Sequence, residues 1–210
     1  MLGIHDLALF VVSGLLLNMM PGPDSLLIML RSGSQGWRAG SVAALGIGTG
    51  TMVHVLAAAL GLSALLSASA ELFTVIKLMG ALYLVYLGIS LLRQGASSSV
   101  ASEPAVSLPA LSYGRIFRQG LLTNVLNPKV ALFFLAFVPQ FIAPDAPQKA
   151  LAFIVLGCIF NLNGMIWCHL LAFSTAYASR KMRLPARLGC WLNRVMGGLF
   201  VGLGIKLAVE

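Results

Sequence analysis

The sequence predicts an all-α integral membrane protein of about six transmembrane helices, arranged as two inverted three-helix repeats. Three observations carry that prediction. Only 10% of the 210 residues are charged while 59% are hydrophobic, against roughly 25% charged in an ordinary globular domain. So few polar groups cannot build a water-facing surface, and lipid must cover the rest. Several apolar stretches reach the length needed to cross a bilayer core, about 20 helical residues. Finally, an apolar segment carrying an Asn and ending in a proline break occurs twice, once in each half of the chain.

The apolar stretches are residues 7–30, 41–66, 72–92, 119–143, 150–178 and 190–209. The last has a short uncharged centre and crosses only if Arg194 and Lys206 snorkel toward opposite faces. The first has no Lys or Arg before it and no small-residue cleavage site after it, so it reads as a retained span rather than a signal peptide. Residues 94–114, with Ser97, Ser98, Ser99, Pro104 and Pro109, read as a flexible linker. The expectation is a single transmembrane domain, 1–210, with halves of about 1–93 and 115–210 on either side of that linker.

The halves match locally. Residues 14–20, Gly-Leu-Leu-Leu-Asn-Met-Met, lie over residues 120–126, Gly-Leu-Leu-Thr-Asn-Val-Leu, and a break follows each at once. Leu87-Gly88-Ile89 lies over Leu203-Gly204-Ile205 in the third and sixth spans. Three helices is an odd number, so a repeated half must enter the membrane upside down relative to the first. Lys and Arg gather after spans one, three and five: Arg31 and Arg38, then Arg93, Arg115 and Arg118, then Arg180, Lys181, Arg183, Arg187 and Arg194. The positive-inside rule puts those loops in the cytoplasm and both termini outside.

Asp24 is the one acidic residue inside a predicted span; Asp6, Glu71, Glu103, Asp145 and Glu210 fall in ends or loops. An Asp at the centre of a membrane helix costs about 2.5–3.5 kcal/mol on insertion scales, which makes it a candidate for function. Helix capping is the competing explanation. Pro21-Gly22-Pro23-Asp24 is itself a helix break: two prolines remove two backbone donors, and Gly22 permits a turn. Asn127-Pro128-Lys129 repeats the device in span four with a cation in place of the acid. Broken backbone in a membrane survives only inside protein or beside a water-filled cavity. Two breaks at corresponding positions of two halves are the sequence mark of a transporter's midplane site.

Asn18 and Asn124, just before the breaks, offer amide groups to a zwitterionic ligand or to the opposite half; interhelical hydrogen bonding alone explains them equally well. Lys129 lies too far from either end of its span to snorkel, so it pairs with Asp24 or meets a substrate carboxylate. Lys77, nearer an end, fits snorkelling. His54 and His169 each lack a second ligand at i+4 and read as packed polar residues, with proton relay or a place on the pathway as the weaker alternative. Gly46-Ile47-Gly48-Thr49-Gly50-Thr51 has no Lys and lies in an apolar span, so it is a packing surface rather than a phosphate loop. Gly46 with Gly50, and Gly198 with Gly202, have the spacing that lets helices approach, and Gly80 and Gly88 add notches.

Cys158, Cys168 and Cys190 form no C-x-x-C pair and read as small packing residues. No metal site and no cofactor is expected. The net charge of +8 sits between apolar runs rather than in a patch with interleaved aromatics, which argues against nucleic acid.

With these residues in view the chain resembles the LysE/RhtB family of bacterial amino-acid exporters. The resemblance runs nearly end to end and rests on four groups of residues. These are Pro21-Gly22-Pro23-Asp24, the Gly46-x-Gly48-x-Gly50 stretch, residues 80–88 (Gly-Ala-Leu-Tyr-Leu-x-Tyr-Leu-Gly), and Asn124-x-x-Asn127-Pro128-Lys129 with Phe137-x-Pro139-Gln140-Phe141. It implies a secondary exporter of the bacterial inner membrane that moves amino acids or close derivatives outward, driven by the proton gradient. Asp24 would carry the proton, and Asn18, Pro21, Gly22, Pro23, Asn124, Asn127, Pro128 and Lys129 would frame the pathway. Expected partners are the amino acid, protons and lipids, with a homodimer left open. The motifs do not separate lysine-like from threonine-like or leucine-like substrates. A divalent or heavy-metal exporter would need more acids, His or thiolates clustered in the spans. An intramembrane hydrolase would need a nucleophile and base on facing helices, and a non-transporting scaffold would leave Asp24 unexplained.

Overall fold

Proline decides where the first span breaks. In a computed structural model, which describes residues 2–68, 70–93, 110–177, 194–195, 197–198, 200–202, 204–205 and 208–209, helix α1 (Leu7–Met19) stops at Met20. Gly22 is extended, and Pro23 opens α2 (Pro23–Gln35) at the first helical position, where its missing N–H costs nothing. The two helices meet at 54°. After a short turn at Gly36, α3 (Trp37–Ala68) and α4 (Ala70–Arg93) are long apolar helices.

The second break is built the same way. Helix α5 (Tyr113–Val125) ends at Leu126, and Asn127 caps α6 (Pro128–Leu132) by accepting from the Lys129 N–H at 3.1 Å, with Pro128 first in the helix. α5 and the segment reaching Phe141 meet at 48°. That segment continues through a π-helical turn, Phe133–Phe137, and a 3-10 turn, Val138–Phe141. Pro139 lacks an N–H and crowds the preceding turn, which is the local cause of the irregular winding. The chain then returns as α7 (Lys149–Tyr177).

Trp37–Gly61 and Lys149–Tyr177 are each long and apolar enough to cross a membrane, and each bent pair passes the same test as one broken span. The described residues contain no strand beyond one isolated bridge. Two expectations change. α5 begins at Tyr113, inside the expected linker and ahead of the expected span at 119. Arg115 and Arg118 in its first turns lower the hydropathy without breaking the helix. Of the linker only residues 110–114 are described; the rest, with Arg180, Lys181, Arg183, Arg187, Cys190 and Lys206, lies outside the described residues, as does part of the sixth span.

Glycines set the closest approaches. A Cβ on Gly46 would strike the Phe117 carbonyl and one on Gly120 the Ala43 carbonyl, so α3 and α5 touch backbone to backbone. Gly48 faces Met165 and Asn161 of α7, and Gly80 faces Ala136. A Cβ on Gly88 would stand 2.6 Å from the Gly197 carbonyl oxygen and one on Gly204 2.8 Å from that of Ala81, so the C-terminal residues lie close along α4. The expected pair Gly198 and Gly202 instead faces open space. The contact register runs through Gly197, Val201 and Gly204, one face round the helix.

Three pairs of elements run antiparallel where they touch. Asp24 of α2 meets Asn124 and Asn127, while Arg31 meets Gln119, so α2 opposes α5. Gly40 lies by Ala172 and Gly157 by Val55, so α3 opposes α7. The Gly88–Gly197 and Ala81–Gly204 contacts make α4 oppose the C-terminal residues.

Gly120→Val or Gly46→Val overpacks the α3–α5 contact and is expected to cost about 1–3 kcal/mol. Gly198→Ala and Gly202→Ala meet nothing and leave the melting point in detergent unchanged. Thermal unfolding of the purified protein checks this, and equal losses at Gly198 and Gly120 would refute the contact register.

Candidate functional site

The two breaks face each other. Asp24 lies in the first turn of α2, where the unpaired N–H groups of a helix start favour an anion. Its Oδ2 accepts from Asn124 Nδ2 at 2.9 Å and from Asn127 Nδ2 at 3.0 Å, both from the other break. Its Oδ1 is buried without a hydrogen-bond partner. One oxygen therefore fastens the two breaks together and the other is left for something else.

Asn124 and Asn127 are themselves buried, at 1% and 2% exposure, and each has both its amide nitrogen and its amide oxygen in a hydrogen bond. Asn124 Oδ1 accepts from the Thr51 hydroxyl at 3.3 Å. The Asn124 carbonyl, at the end of α5, sits 3.0 Å from His54 Nε2. A carbonyl only accepts, so His54 is the donor and its ring holds its proton on Nε2. The imidazole lies parallel to the Phe134 ring with centroids 6.5 Å apart. Asn18 Nδ2 donates to the Phe160 carbonyl at 3.4 Å.

Lys129 does not bond Asp24. The pairing considered from sequence is replaced by two bonds from Nζ, to the Leu17 carbonyl at 3.3 Å and the Met20 carbonyl at 3.2 Å. Both lie at the C-terminal end of α1, where carbonyls run short of helical donors; the Leu17 carbonyl also accepts from the Met20 N–H at 3.2 Å. The cation therefore caps the negative end of α1 while the anion sits at the positive end of α2. Gly22 packs beside the ammonium, where a Cβ would stand 3.4 Å from Lys129 Nζ.

Asp24, Lys129, Asn18 and Asn124 share a cavity of about 30 Å³. Its polar lining includes Ser25, Thr51 and Asn161, and its apolar lining includes Leu17, Ile47, Phe160 and Met165. The space admits one or two waters, far from the roughly 300–1,000 Å³ of a small-molecule site. The structure thus shows a closed form. Thr51, Asn161 and Met165 went unselected in the sequence, although an Asn two residues before a second Asn in an apolar span was a visible signal.

The other expected residues are placed differently. Pro21, Pro23 and Pro128 are exposed and shape the breaks without lining the cavity. His169 Nδ1 lies 2.8 Å from the Met165 carbonyl of its own helix, away from the cavity lining. Among the described residues no three His, Cys, Asp or Glu side chains gather in a way that could hold a metal ion.

Lys129→Met strips the Leu17 and Met20 carbonyls of their donor and is expected to lower stability by about 0.6–2 kcal/mol, the range for hydrogen bonds in membranes. Lys129→Arg keeps donors in reach and retains most of it. Melting of the two variants side by side decides, and an unaffected Lys129→Met would remove the capping role.

Over nearly their full lengths, the chain is 36% identical to an uncharacterized membrane protein of Pseudomonas aeruginosa, covering 99% of this chain and 96% of that one. It is 28% identical to a protein named leucine efflux protein in Salmonella typhimurium and in Salmonella typhi, covering 98% of this chain and 96% of theirs. No solved structure matches significantly. The model of the LysE type translocator family matches residues 15–210, a stretch that contains both breaks and every residue of the cavity: the chain belongs to that family, and it is a translocator, not an enzyme.

Proposed function

We propose that the protein is a secondary transporter that exports amino acids or close derivatives across the bacterial inner membrane, driven by the proton gradient. The single observation that carries the reading is Asp24: a membrane-embedded carboxylate held on one oxygen by both Asn side chains of the facing break, with its second oxygen buried and unpartnered beside a cavity. The leucine efflux proteins among its relatives support an amino acid as the substrate. An amino acid's ammonium is a fitting donor for Asp24 Oδ1. Its carboxylate is a fitting acceptor for Lys129, whose bonds to Leu17 and Met20 would then be exchanged.

The antiparallel contacts of α2 with α5, α3 with α7 and α4 with the C-terminal residues support two inverted halves, divided within 94–114 and rocking about the breaks. In this cycle Asp24 holds either a proton or the substrate ammonium. Protonation from the outer side weakens its hold on the ammonium, so proton entry and substrate exit are coupled by exclusion. Lys129, Cys168 and, through Asn124, His54 are the other titratable groups around it. The arginine-bearing end faces the cytoplasm and both termini face outward. The metal-exporter reading has no observation in its favour.

Asp24→Asn keeps an oxygen to accept from Asn124 and Asn127, so the protein folds. Proton-driven efflux of labelled leucine from proteoliposomes is expected to fall about tenfold or more, a loss of at least ~1.4 kcal/mol. Exchange of amino acid for amino acid no longer responds to a pH gradient. Wild-type efflux rates from Asp24→Asn, with the same pH response, would refute the proton role. A scan of labelled amino acids by counterflow tests the substrate class, and no counterflow with any of them would refute it.

A further inference from the structure

The cavity is closed at both ends by contacts between the same two broken spans, and the closures differ in chemistry. At the end away from the arginines, Ile4 and Ile142 form an isolated antiparallel bridge. There the His5 N–H donates to the Phe141 carbonyl at 3.1 Å and the Ala143 N–H to that of Gly3 at 2.8 Å. Rings close the space beneath: Phe10 meets Phe141 edge-on with centroids 5.2 Å apart, and Phe137 packs on Phe141 at 4.9 Å.

At the arginine-bearing end a side chain does the work of that bridge. Gln35 Nε2 donates to the Leu111 carbonyl at 3.0 Å, and the Leu111 N–H donates to Gln35 Oε1 at 3.1 Å. The shift that lays Asn18 on Asn124 also lays His5 on Leu111 and Gln35 on Phe141. The two closures are counterparts, yet past the breaks, where Pro23-Asp24 lies over Pro128-Lys129, Arg31 falls within the turn Phe133–Phe137, which has three rings and no cation. A cation stands where the other end has a ring.

Arg31 is 6% exposed, and among the described residues no carboxylate pairs with it. Its Nε and Nη2 both donate to Gln119 Oε1 of α5, at 3.2 and 2.9 Å, and Nη1 donates to Gln35 Oε1 at 3.4 Å. A guanidinium fork matches the two oxygens of a carboxylate. Here it closes on neutral amides, which leaves a buried cation without an anion. Between this point and the cavity lie Leu27, Ile28 and Ile47, members of one buried apolar cluster. A zwitterion cannot pass until α2 and α5 part.

We propose that Arg31 and Gln119 form a latch on the arginine-bearing end, and that the carboxylate of the incoming amino acid opens it by replacing Gln119 on the guanidinium. The inference rests on the amino-acid reading above. A carboxylate offers the buried guanidinium an opposite charge and two oxygens for its fork, where the Gln119 amide offers one neutral oxygen, so the exchange is favourable and frees α5 from α2. An amine or amide analogue lacks the carboxylate and leaves the latch shut. The aromatic closure at the other end makes no such demand.

The test uses full-length protein with Cys158, Cys168 and Cys190 replaced by Ser and a reporter Ile47→Cys behind the latch. Vesicles exposing the arginine-bearing end are treated with a membrane-impermeant maleimide. Labelling is expected to be slow, to accelerate with leucine and not to respond to leucinamide. Arg31→Gln labels about tenfold faster without ligand, as befits the loss of bonds to a charged group, and ignores leucine. Gln119→Ala, which spares the guanidinium, behaves alike, whereas Gln119→Glu supplies a resident carboxylate and stays slow throughout.

Parental rates in both Arg31→Gln and Gln119→Ala overturn the latch, and so does leucinamide acting as well as leucine. Labelling needs no transport, so the two readings fail separately. If leucine is neither exported nor accelerates labelling, the export assay counts against the amino-acid reading while the ligand-free rates of the two latch variants still decide the latch.

Discussion

Two amide-to-carboxylate hydrogen bonds hold the molecule's centre: Asn124 and Asn127 both donate to one oxygen of Asp24. Away from water, a carboxylate without donors and an amide without acceptors are both expensive, so this contact fixes which break faces which. With Asp24 tied to Asn124, α2 must run antiparallel to α5, and Arg31 then reaches Gln119 two helical turns on. Gly46, Gly50 and Gly120 let α3 press against α5 behind the contact. A bulkier side chain at any of them would push α5 off the carboxylate, so packing and site geometry are one constraint.

The breaks also sort charge. An unbroken helix would carry its terminal partial charges to the membrane surfaces, whereas α1 and α2 bring a carbonyl-rich end and an N–H-rich end to the protein's interior. Lys129 answers the first and Asp24 the second, each from a different break. That explains why two opposite charges in one small cavity do not simply pair. Each is held by a helix end, and each keeps capacity for a ligand group of opposite sign. The present cavity, of about 30 Å³, is too small for such a ligand, so the proposed cycle requires the two breaks to separate.

The breaks and the spans around them were readable from sequence because proline, glycine and a lone acid in apolar surroundings have few interpretations. The partners were not. Nothing in the spacing of Asp24 and Lys129 shows that the lysine turns to the carbonyls of Leu17 and Met20, because those acceptors are backbone atoms and leave no sequence mark. The helical start at Tyr113 was hidden by Arg115 and Arg118, which lower hydropathy while sitting on a regular helix. Gly198 and Gly202 carried the right spacing on the wrong face, since spacing specifies that a groove exists and not which way it turns. Arg31 read as a loop charge for orientation, although it is buried; only the fold brings Gln35 and Gln119 to it.

In the proposed arrangement of two inverted halves, Arg31 against the ringed turn Phe133–Phe137 is where the halves part company in chemistry. A pure repeat would close both ends alike, and a carrier so built would favour neither direction of entry. Aromatic packing makes no demand for a carboxylate on the ligand. A guanidinium waiting on neutral amides discriminates, because a carboxylate improves on its partners and little else does. In the proposed export cycle the end that must select is the cytoplasmic one, where the substrate competes with every other small solute. The end that must release gains nothing from selection. A polar latch on the arginine-bearing side and a ring plug on the other satisfy both demands, and that difference would give two inverted halves a direction.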